Sequence, residues 1–465
     1  MDIQSKLINI KYRLCLIVLL LFSSFTFSCK KFLDERANSK QVKFSAADCQ
    51  ALLDDYATMN TGYLSDGEAS ADNYYLTPIS WSALVSLEDR NSYIWNTVTP
   101  RLSSAGQWLN PYKVVYNANL VIDQLERSTE DLNQGTIDHL KGAALFFRAY
   151  AHFQVAQLYA KPFDPNTASQ DPGIPIRLSP NLEVNSERGT VKSTYDQIIQ
   201  DLKNAILLLP VTSETKSRPN KVAAYAALAR TYLAMGDYNN AALNADECLR
   251  LYSSLMDYNS SSISKTSNTP FTRFNTEVIF QSLVAGSAPQ VTSIAKIPQD
   301  LLDSYESTDL RKLVFFKQNT GANVGTYRFT GNYEPTTTST FFNGLATDEI
   351  FLIRSESYAR TGKIAEALAD LNQLLRNRYL NFVNLNITNP EDLLRRILVE
   401  RRKELIFRNL RWSDLRRLNK DDRFKITISR IINGTTYTLP PNDLRYVLLI
   451  PQEVLSSANL QQNPR

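Results

Sequence analysis

The strongest constraint on the fold is a helical periodicity of apolar residues that recurs over much of the chain. In residues 107–127 apolar side chains recur at i, i+3 or i+4, and i+7, the spacing that places them on one face of an α-helix. The same pattern predicts a helix over 137–160. A third helix is predicted to begin near Ser193 or Thr194 and to end at Pro210. The chain is therefore predicted to be mainly α-helical.

Two segments share the spacing of a helical hairpin. Tyr232 is followed by Gly236 and Ala241, and a second copy of this pattern begins at Tyr358, with its glycine at Gly362. A glycine that ends the first helix tolerates a left-handed backbone, and a following alanine lets the two helices approach closely. This arrangement is typical of tetratricopeptide-like hairpins. The two copies lie 126 residues apart, so the chain is not a regular tandem array.

Two regions lack this periodicity, roughly 60–106 and 255–345. Both are rich in Ser, Thr, Asn, Gly and aromatic residues, which predicts long loops and short strands. Loops of this length on a helical scaffold usually carry function. The chain is long enough for one large domain or two.

Residues 1–28 have the layout of a bacterial lipoprotein signal. A basic head precedes an apolar run of 14 residues, Leu14 to Phe27, which is too short to span a bilayer. Cleavage before Cys29 would leave a cysteine for lipidation, and we expect acyl chains to anchor the mature protein to a membrane. The alternative is an ordinary secretory signal with an incidental cysteine. No later apolar run approaches 18 residues, so no transmembrane helix is expected.

The charge and the cysteines exclude two classes of protein. The formal net charge is +4 without basic runs, which argues against nucleic acid as a partner. After Cys29 only Cys49 and Cys248 remain, so the chain is not a disulfide scaffold. Whether these two cysteines pair is left open.

Motifs of known catalytic or metal sites are absent from the sequence. The two histidines, His139 and His152, lie thirteen residues apart on one predicted helix and face different directions, so they cannot share a metal. We find no zinc-protease motif, nucleophile elbow or phosphate-binding glycine loop, and we expect no enzyme activity, no metal and no cofactor. A carboxylate-dependent surface glycoside hydrolase stays open, because its paired acids meet in space and not in sequence.

Aromatic residues concentrate between positions 66 and 96, beside short polar side chains. Such a mixture suits a sugar ring, because an aromatic face covers the C–H face while carboxylate, amide and guanidinium groups bond the hydroxyls. The candidate ligand-binding residues are Tyr74, Tyr75, Trp81, Tyr93 and Trp95, with Asp72, Asn73 and Arg90. The alternative is that these aromatics pin a long loop to the helical body. For Trp108 and Tyr112, at helical spacing, we favour the core.

Two features near the C-terminus are predicted to be structural. Trp412 lies at a helix end and is expected to pack in the core. The segment 400–404 alternates charges, with Glu400 and Glu404 on one helical face. We interpret it as an ion-pair network and not as a catalytic pair.

Taken in order along the chain, these motifs resemble those of the SusD/RagB family, the surface lipoproteins of Bacteroidota nutrient-uptake systems. The motifs that carry the resemblance are Cys29-Lys30-Lys31-Phe32-Leu33-Asp34; Trp108 and Tyr112 with Asn117-Ala118-Asn119; Arg148-Ala149-Tyr150 and Pro162; Asp201-Leu202, Ala205 and Leu209-Pro210; Ala229-Arg230, Tyr232-Leu233 and Gly236-Asp237-Tyr238; Glu356, Arg360 and Gly362; Asn372, Arg376 and Arg378; Glu400-Arg401-Arg402, Glu404-Leu405 and Phe407; Arg411-Trp412 and Asp414-Leu415; Ile450-Pro451 and Glu453; and Gln462-Asn463-Pro464. Their order and coverage matter more than any single motif.

The resemblance implies one domain over 29–465, a tetratricopeptide-like helical-hairpin scaffold with the loop-rich regions inserted. It implies a lipid-anchored binding protein of the cell outer membrane that faces the exterior and is not an enzyme. Such a protein captures oligosaccharides and passes them to a TonB-dependent transporter of the SusC type. The ligand residues of the family vary, so the site prediction rests on the aromatic cluster alone.

Two alternative functions stay open, a peptide-binding protein and a surface enzyme. Some branches of the SusD/RagB family capture peptides. A peptide would be held largely through backbone hydrogen bonds in a groove. The aromatic cluster favours a glycan over a peptide. A surface glycoside hydrolase is disfavoured by the absent motifs.

Overall fold

Helices are the main secondary structure of the described chain, as the periodicity predicts. The computed structural model describes residues 45–96, 100–103, 106–128, 130–184 and 187–465. In chain order the helices are α1 Ala46–Leu53, α2 Tyr56–Met59, α3 Asp66–Ser70, α4 Pro78–Ser82, α5 Leu87–Tyr93, α6 Leu109–Arg127, α7 Gln134–Tyr159, α8 Val191–Leu208, α9 Lys221–Met235, α10 Tyr238–Leu251, α11 Gln299–Asp303, α12 Arg311–Phe315, α13 Thr347–Arg360, α14 Ile364–Arg376, α15 Pro390–Glu404, α16 Arg411–Leu418 and α17 Gln452–Ala458.

The strands are short and pair two by two. They are β1 Pro172–Pro175, β2 Arg188–Thr190, β3 Val278–Phe280, β4 Phe316–Gln318, β5 Tyr327–Phe329, β6 Leu345–Ala346, β7 Ile428–Ile432 and β8 Thr435–Leu439. Within the described residues β1 pairs with β2, β3 with β6, β4 with β5 and β7 with β8, each time antiparallel. The prediction of a mainly α fold with short strands is confirmed.

The long helices pack against one another in sequence. Helix α7 packs against α6 and α8, α8 against α9, α9 against α10, α10 against α13, and α13 against α14 and α15. This row of neighbours is the predicted scaffold of helical hairpins. Residues 46–465 form one compact unit. The prediction of a single domain over 29–465 begins outside the described residues and stays a prediction, as does the signal segment 1–28.

The two predicted hairpin turns are present. Gly236 ends α9 with a φ of +77°, and Gly362 follows α13 with a φ of +82°, the left-handed region in which glycine is favoured. Ala241 and Ala367, where the second helices begin to pack, are fully buried. The hairpin interpretation is therefore confirmed at both positions.

One helix start was misplaced by the sequence pattern. Thr190 and not Ser193 or Thr194 caps α8, since the Thr190 Oγ1 accepts a hydrogen bond from the Ser193 amide at 3.0 Å. Ser193 Oγ accepts in turn from the Thr190 amide at 2.9 Å. This reciprocal capping box satisfies two free amides at once and starts the helix earlier. The helix ends at Leu208, just before Pro210, as predicted.

The two loop-rich regions share one hydrophobic core. Tyr74 and Leu76 from the first region pack in the same cluster as Val278 and Phe341 from the second. We call this cluster the loop-region core. A second cluster, with Leu371 and Leu393 among its members, joins α13, α14 and α15. The two loop-rich regions are therefore held together by a shared core.

Buried ion pairs tie the loop-rich region to α15. The Arg311 guanidinium bonds the carboxylates of Asp309, Glu400 and Glu404, and all four side chains are fully buried. Arg378 bonds Glu404 in turn at 2.7 Å. The predicted ion-pair network at 400–404 is confirmed, and Trp412 is buried as expected.

Cys49 and Cys248 are both buried and free. They do not pair, which answers the question that the sequence left open. Burial raises the pKa of the Cys248 thiol well above its usual range, and a buried neutral thiol is inert. Separately, none of the described helices is long and apolar enough to cross a membrane.

Candidate functional site

The aromatic segment folds as three short helices, two of which have polar side-chain caps. Thr77 caps α4, with its Oγ1 accepting from the Ser80 amide at 3.1 Å, and Ser86 caps α5 through the Asp89 amide at 3.1 Å. Pro78 at the first turn of α4 needs no hydrogen-bond partner for its nitrogen. These caps fix the backbone that presents the candidate side chains.

Three of the candidate aromatics are buried by an arginine from far along the chain. The Arg430 guanidinium, on β7, lies 3.8 Å from the ring centre of Tyr93, 4.8 Å from Trp95 and 5.3 Å from Tyr74. Trp95 is 3% exposed and donates its Nε1 hydrogen bond to the Ser70 carbonyl at 3.0 Å. The ligand-contact prediction is wrong for these three rings, because none has a face open to a sugar. They pin the loop to the body, which was the alternative interpretation.

Two polar candidates are also committed to the fold. Asn73 is buried and donates from Nδ2 to Glu68 Oε1 at 2.6 Å. Asp72 pairs with Arg411 at 2.6 Å and with Arg402 at 3.1 Å. Burial alone would raise the pKa of Asp72, but these two guanidinium groups outweigh it and hold the pKa well below its usual range. These bonds already occupy the polar groups of Asn73 and Asp72, so their ligand-binding role stays a prediction without support from the structure.

Three candidates keep access to solvent. Tyr75 is 36% exposed, and its backbone pairs with that of Lys296. Trp81 is partly exposed, packs against the loop-region core and donates from Nε1 to the Arg90 carbonyl at 3.0 Å. Arg90 is partly exposed as well, and its Nε is buried without a hydrogen-bond partner. We take Tyr75, Trp81 and Arg90 as the remaining candidate site.

One residue beside this site escaped sequence reasoning. Gln290, on a 3₁₀ turn that packs against α5, is fully buried, and neither atom of its side-chain amide has a partner. Buried polar groups are normally hydrogen-bonded, so an unpaired amide marks a place where the chain does not satisfy its own polar atoms. No local sequence signal could have found it, since about 200 residues separate Gln290 from Arg90.

Part of the chain is similar to one known protein family. Residues 31–233 match a SusD-like family model described as "Starch-binding associating with outer membrane". The SusD-like protein P2 of Formosa agariphila is 28% identical over 139 residues. That match spans 30% of this chain and 25% of the relative's length. Residues 31–233 of this chain are therefore similar to the SusD-like family.

Solved SusD-like structures share the fold over most of this chain. A SusD superfamily protein from Bacteroides vulgatus, 21% identical, covers 90% of this chain and 99% of its own length with a TM-score of 0.73. One from Bacteroides thetaiotaomicron, 22% identical, covers 91% and 100% with a TM-score of 0.73. A third relative, titled as a laminarin-binding SusD-like protein, is 18% identical and covers 90% and 98% with a TM-score of 0.65.

Three acids of the candidate segment are neutralised by one arginine. Arg101 bonds Asp66 at 2.8 Å, Asp89 at 3.1 Å and Glu88 at 3.4 Å. The cavity beside them measures about 40 Å³, far below the roughly 300 Å³ of a small-molecule pocket. This group of acids does not have the open, paired geometry of a glycoside hydrolase site.

Among the described residues, three buried carboxylates lie close enough to hold a metal ion. They belong to Glu277, Asp348 and Glu404. Each is bonded to a guanidinium: Glu277 and Glu404 to Arg378, and Asp348 to Arg408. The arginines already supply the positive charge that a metal would bring, so this cluster has the chemistry of a structural ion-pair network.

Proposed function

We propose that this protein is a cell-surface nutrient-binding lipoprotein that captures oligosaccharides and delivers them to a SusC-like, TonB-dependent transporter of the outer membrane. The observation that carries the proposal is the family match over residues 31–233, whose model is described as starch-binding and outer-membrane-associated. One structural relative is described as a laminarin-binding SusD-like protein, which supports a glycan as the class of ligand. The protein would act by binding, without catalysis.

The partly exposed aromatic side chains supply the contact chemistry for a sugar. Trp81 is held from below by its hydrogen bond to the Arg90 carbonyl and by the loop-region core. An indole fixed in this way loses little side-chain entropy when a sugar ring packs on it. Tyr75, in the same loop, adds a second ring with a hydroxyl that can donate or accept a hydrogen bond.

Titration of the full-length chain in detergent with maltoheptaose and laminarihexaose, followed by calorimetry, tests the glycan proposal. Trp81→Ala should weaken binding about tenfold, which corresponds to roughly 1.4 kcal/mol of lost contact, without changing thermal stability by a comparable amount. Tyr116→Ala is the matched control, because Tyr116 is an exposed aromatic on the scaffold helix α6. Equal affinity in the wild type and Trp81→Ala would contradict the assignment of Trp81.

The same titrations separate the binder from the two alternatives. Shortened sugars in the reaction mixture would indicate a hydrolase, and we expect none. A peptide binder would take oligopeptides and ignore both glycans. Binding of oligopeptides alone would replace the glycan proposal with the peptide one.

Membrane attachment is proposed to run through Cys29, which lies outside the described residues. We expect Cys29→Ala to block lipid labelling and to release the protein from the outer membrane in cell fractionation. Two or more acyl chains give lasting attachment, since each buried methylene adds roughly 0.8 kcal/mol. Unchanged fractionation of the variant would refute lipid anchoring at this residue.

The proposed protein partner is the transporter barrel. A lipid tether raises the local concentration of the binding protein at the barrel mouth, so a modest interface can stay engaged. A lasting interface of this kind buries on the order of 1,200 Å² or more. Affinity purification from mildly solubilised outer membranes should recover a TonB-dependent barrel with this chain. Its absence, with the nutrient supplied, would leave a free-standing surface binder.

A further inference from the structure

The exposed ring of Tyr75 lies at the edge of a small set of paired segments. Tyr75 and Lys296 are antiparallel bridge partners, with backbone hydrogen bonds of 2.8 Å and 2.9 Å between them. Side chains of directly opposed residues point to the same face. The Ile297 amide then donates to the Tyr327 carbonyl at 3.0 Å, which joins this segment to β5.

A pair of like charges lies in the β4–β5 hairpin, next to the segment of Lys296 and Ile297. In the β4–β5 hairpin Lys317 stands directly opposite Arg328. Three cations therefore come from three adjacent segments: Lys296, Arg328 and Lys317. We call them the basic cluster.

The basic cluster has no acidic partner. None of its three side chains forms an ion pair with a carboxylate of the described residues. Lys296 is 1% exposed, and its Nζ donates to the Ser293 carbonyl at 2.9 Å. Lys317 donates to backbone carbonyls, among them that of Lys265 at 2.7 Å. Carbonyl groups satisfy hydrogen bonds but carry no net charge.

This arrangement costs stability. Like charges directly opposite on neighbouring strands repel each other. Burial lowers the pKa of Lys296, and the charge of Arg328 lowers it further. Burial and the same guanidinium lower the pKa of Lys317. Other buried cations of the chain, among them Arg311 and Arg378, pair with carboxylates. An anion supplied from outside would offset the cost here.

We propose that the partly exposed Lys317 and Arg328 of the basic cluster bind a carboxylate or sulfate group of the captured oligosaccharide, while the buried Lys296 adds its charge beneath them, so that the ligand of this protein is an acidic glycan. The proposal rests on the proposed function and names its substrate class. Carboxylate and sulfate oxygens accept charge-assisted hydrogen bonds from Lys and Arg. Tyr75, 36% exposed and directly opposite Lys296, provides a ring for the sugar itself.

The test compares acidic with neutral oligosaccharides on the full-length chain in detergent. Tetragalacturonate carries carboxylates, a chondroitin 4-sulfate hexasaccharide carries both carboxylates and sulfates, and laminarihexaose is neutral. Lys317→Gln and Arg328→Gln should each weaken binding of the acidic probes at least tenfold and leave laminarihexaose unaffected. Lys192→Gln on α8 is the matched control, since it removes an exposed lysine charge far along the chain from the basic cluster. Added NaCl should weaken acidic binding through screening.

Thermal unfolding separates a binding role from a structural one. If the cations serve the ligand, Lys317→Gln and Arg328→Gln relieve repulsion, and the unfolding midpoint without ligand should stay level or rise. A fall in the midpoint together with unchanged acidic binding would assign the cluster to the scaffold and overturn the proposal.

The outcomes distinguish this inference from the proposed function. Binding of laminarihexaose with no binding of either acidic probe would overturn the acidic-glycan inference and leave the glycan function intact. Acidic probes that bind all variants equally would overturn the basic cluster as their site. Binding of an oligoglutamate peptide in place of every glycan would overturn both.

Discussion

A buried carboxylic acid beside the candidate loop leads to a specific expectation about pH. Glu68, on α3, is 2% exposed and accepts one hydrogen bond, from Asn73 Nδ2 at 2.6 Å. Its other oxygen and the Asn73 Oδ1 are both buried without a partner. Protonation of Glu68 supplies an O–H donor next to an acceptor that lacks one. We therefore expect Glu68 to be neutral in the folded protein near pH 6.

The free-energy scale follows from the pKa. Burial raises the pKa of Glu68 from 4.5 to about 7, with a further increase from Asp72, while Asn73 and Arg411 act in the opposite direction. At about 1.4 kcal/mol for each pKa unit, this displacement is worth roughly 3 kcal/mol. The folded state holds the proton up to about pH 7, and the unfolded chain releases it near pH 4.5. The contribution of Glu68 to stability is therefore complete below pH 4.5 and is lost as the pH rises to 7.

Glu68→Gln should remove this dependence, because glutamine keeps the acceptor for Asn73 and does not ionise. Urea unfolding at pH 5, 6, 7 and 8 measures the free energy of unfolding of both proteins. We expect similar stability at pH 5 and an advantage for the variant of up to roughly 3 kcal/mol at pH 8. Glu277, whose pKa burial also raises to about 7, is present in both proteins, and its effect cancels in the difference.

Glu356→Gln is the matched control, with the opposite sign. Glu356 is also fully buried, but the charges of Arg417 and Arg360 outweigh burial and lower its pKa to about 2. Its contribution is present above pH 4.5 and is lost as the pH falls toward 2. This variant should be less stable than the wild type at pH 7 and approach it in acid. Parallel pH curves for the wild type and Glu68→Gln would refute the argument for Glu68.

Three further predictions concern the scaffold. Gly362→Val should lower the free energy of unfolding by about 1 kcal/mol or more, because a β-branched residue resists the left-handed backbone; Gly362→Asn, which tolerates that backbone, should cost less in the same urea titration. Arg430→Met should destabilise the protein by about 2 kcal/mol or more, since it removes the guanidinium donors from the Tyr93 and Ala71 carbonyls, and unchanged Trp95 fluorescence and stability would count against its anchoring role. Arg311→Leu should cost on the order of 3–5 kcal/mol, because three buried carboxylates each lose one of their cationic partners; a calorimetric unfolding midpoint equal to that of the wild type would contradict this.

The helical scaffold could be predicted because its signals are local. Helices α6 and α7 follow from apolar spacing within each segment, and the turns at Gly236 and Gly362 follow from a single residue whose backbone preference is intrinsic. The error at the start of α8 was also local, since Thr190 and Ser193 form a capping box that the apolar pattern does not reveal. Hydrogen bonds between residues four apart make such elements readable from the sequence.

The candidate site could be predicted only as a segment. Composition singled out residues 66–96, but it could not separate the partly exposed Trp81 from the buried Trp95. That distinction depends on Arg430, which the chain brings over Tyr74, Tyr93 and Trp95 from more than 330 positions away. Burial of a loop side chain is a property of its distant neighbours, and spacing along the loop does not encode it.

The sequence by itself determined the class of fold, the hairpin turns and the segment in which to look for a ligand site. Only the tertiary structure decided which aromatic rings stay open to a ligand, and it alone assembled the cations Lys296, Lys317 and Arg328 from separate segments. The physical reason is the range of the forces involved. Helix propensity and turn strain act within a few residues, whereas burial and the pairing of charges are set by contacts between segments that the fold brings together.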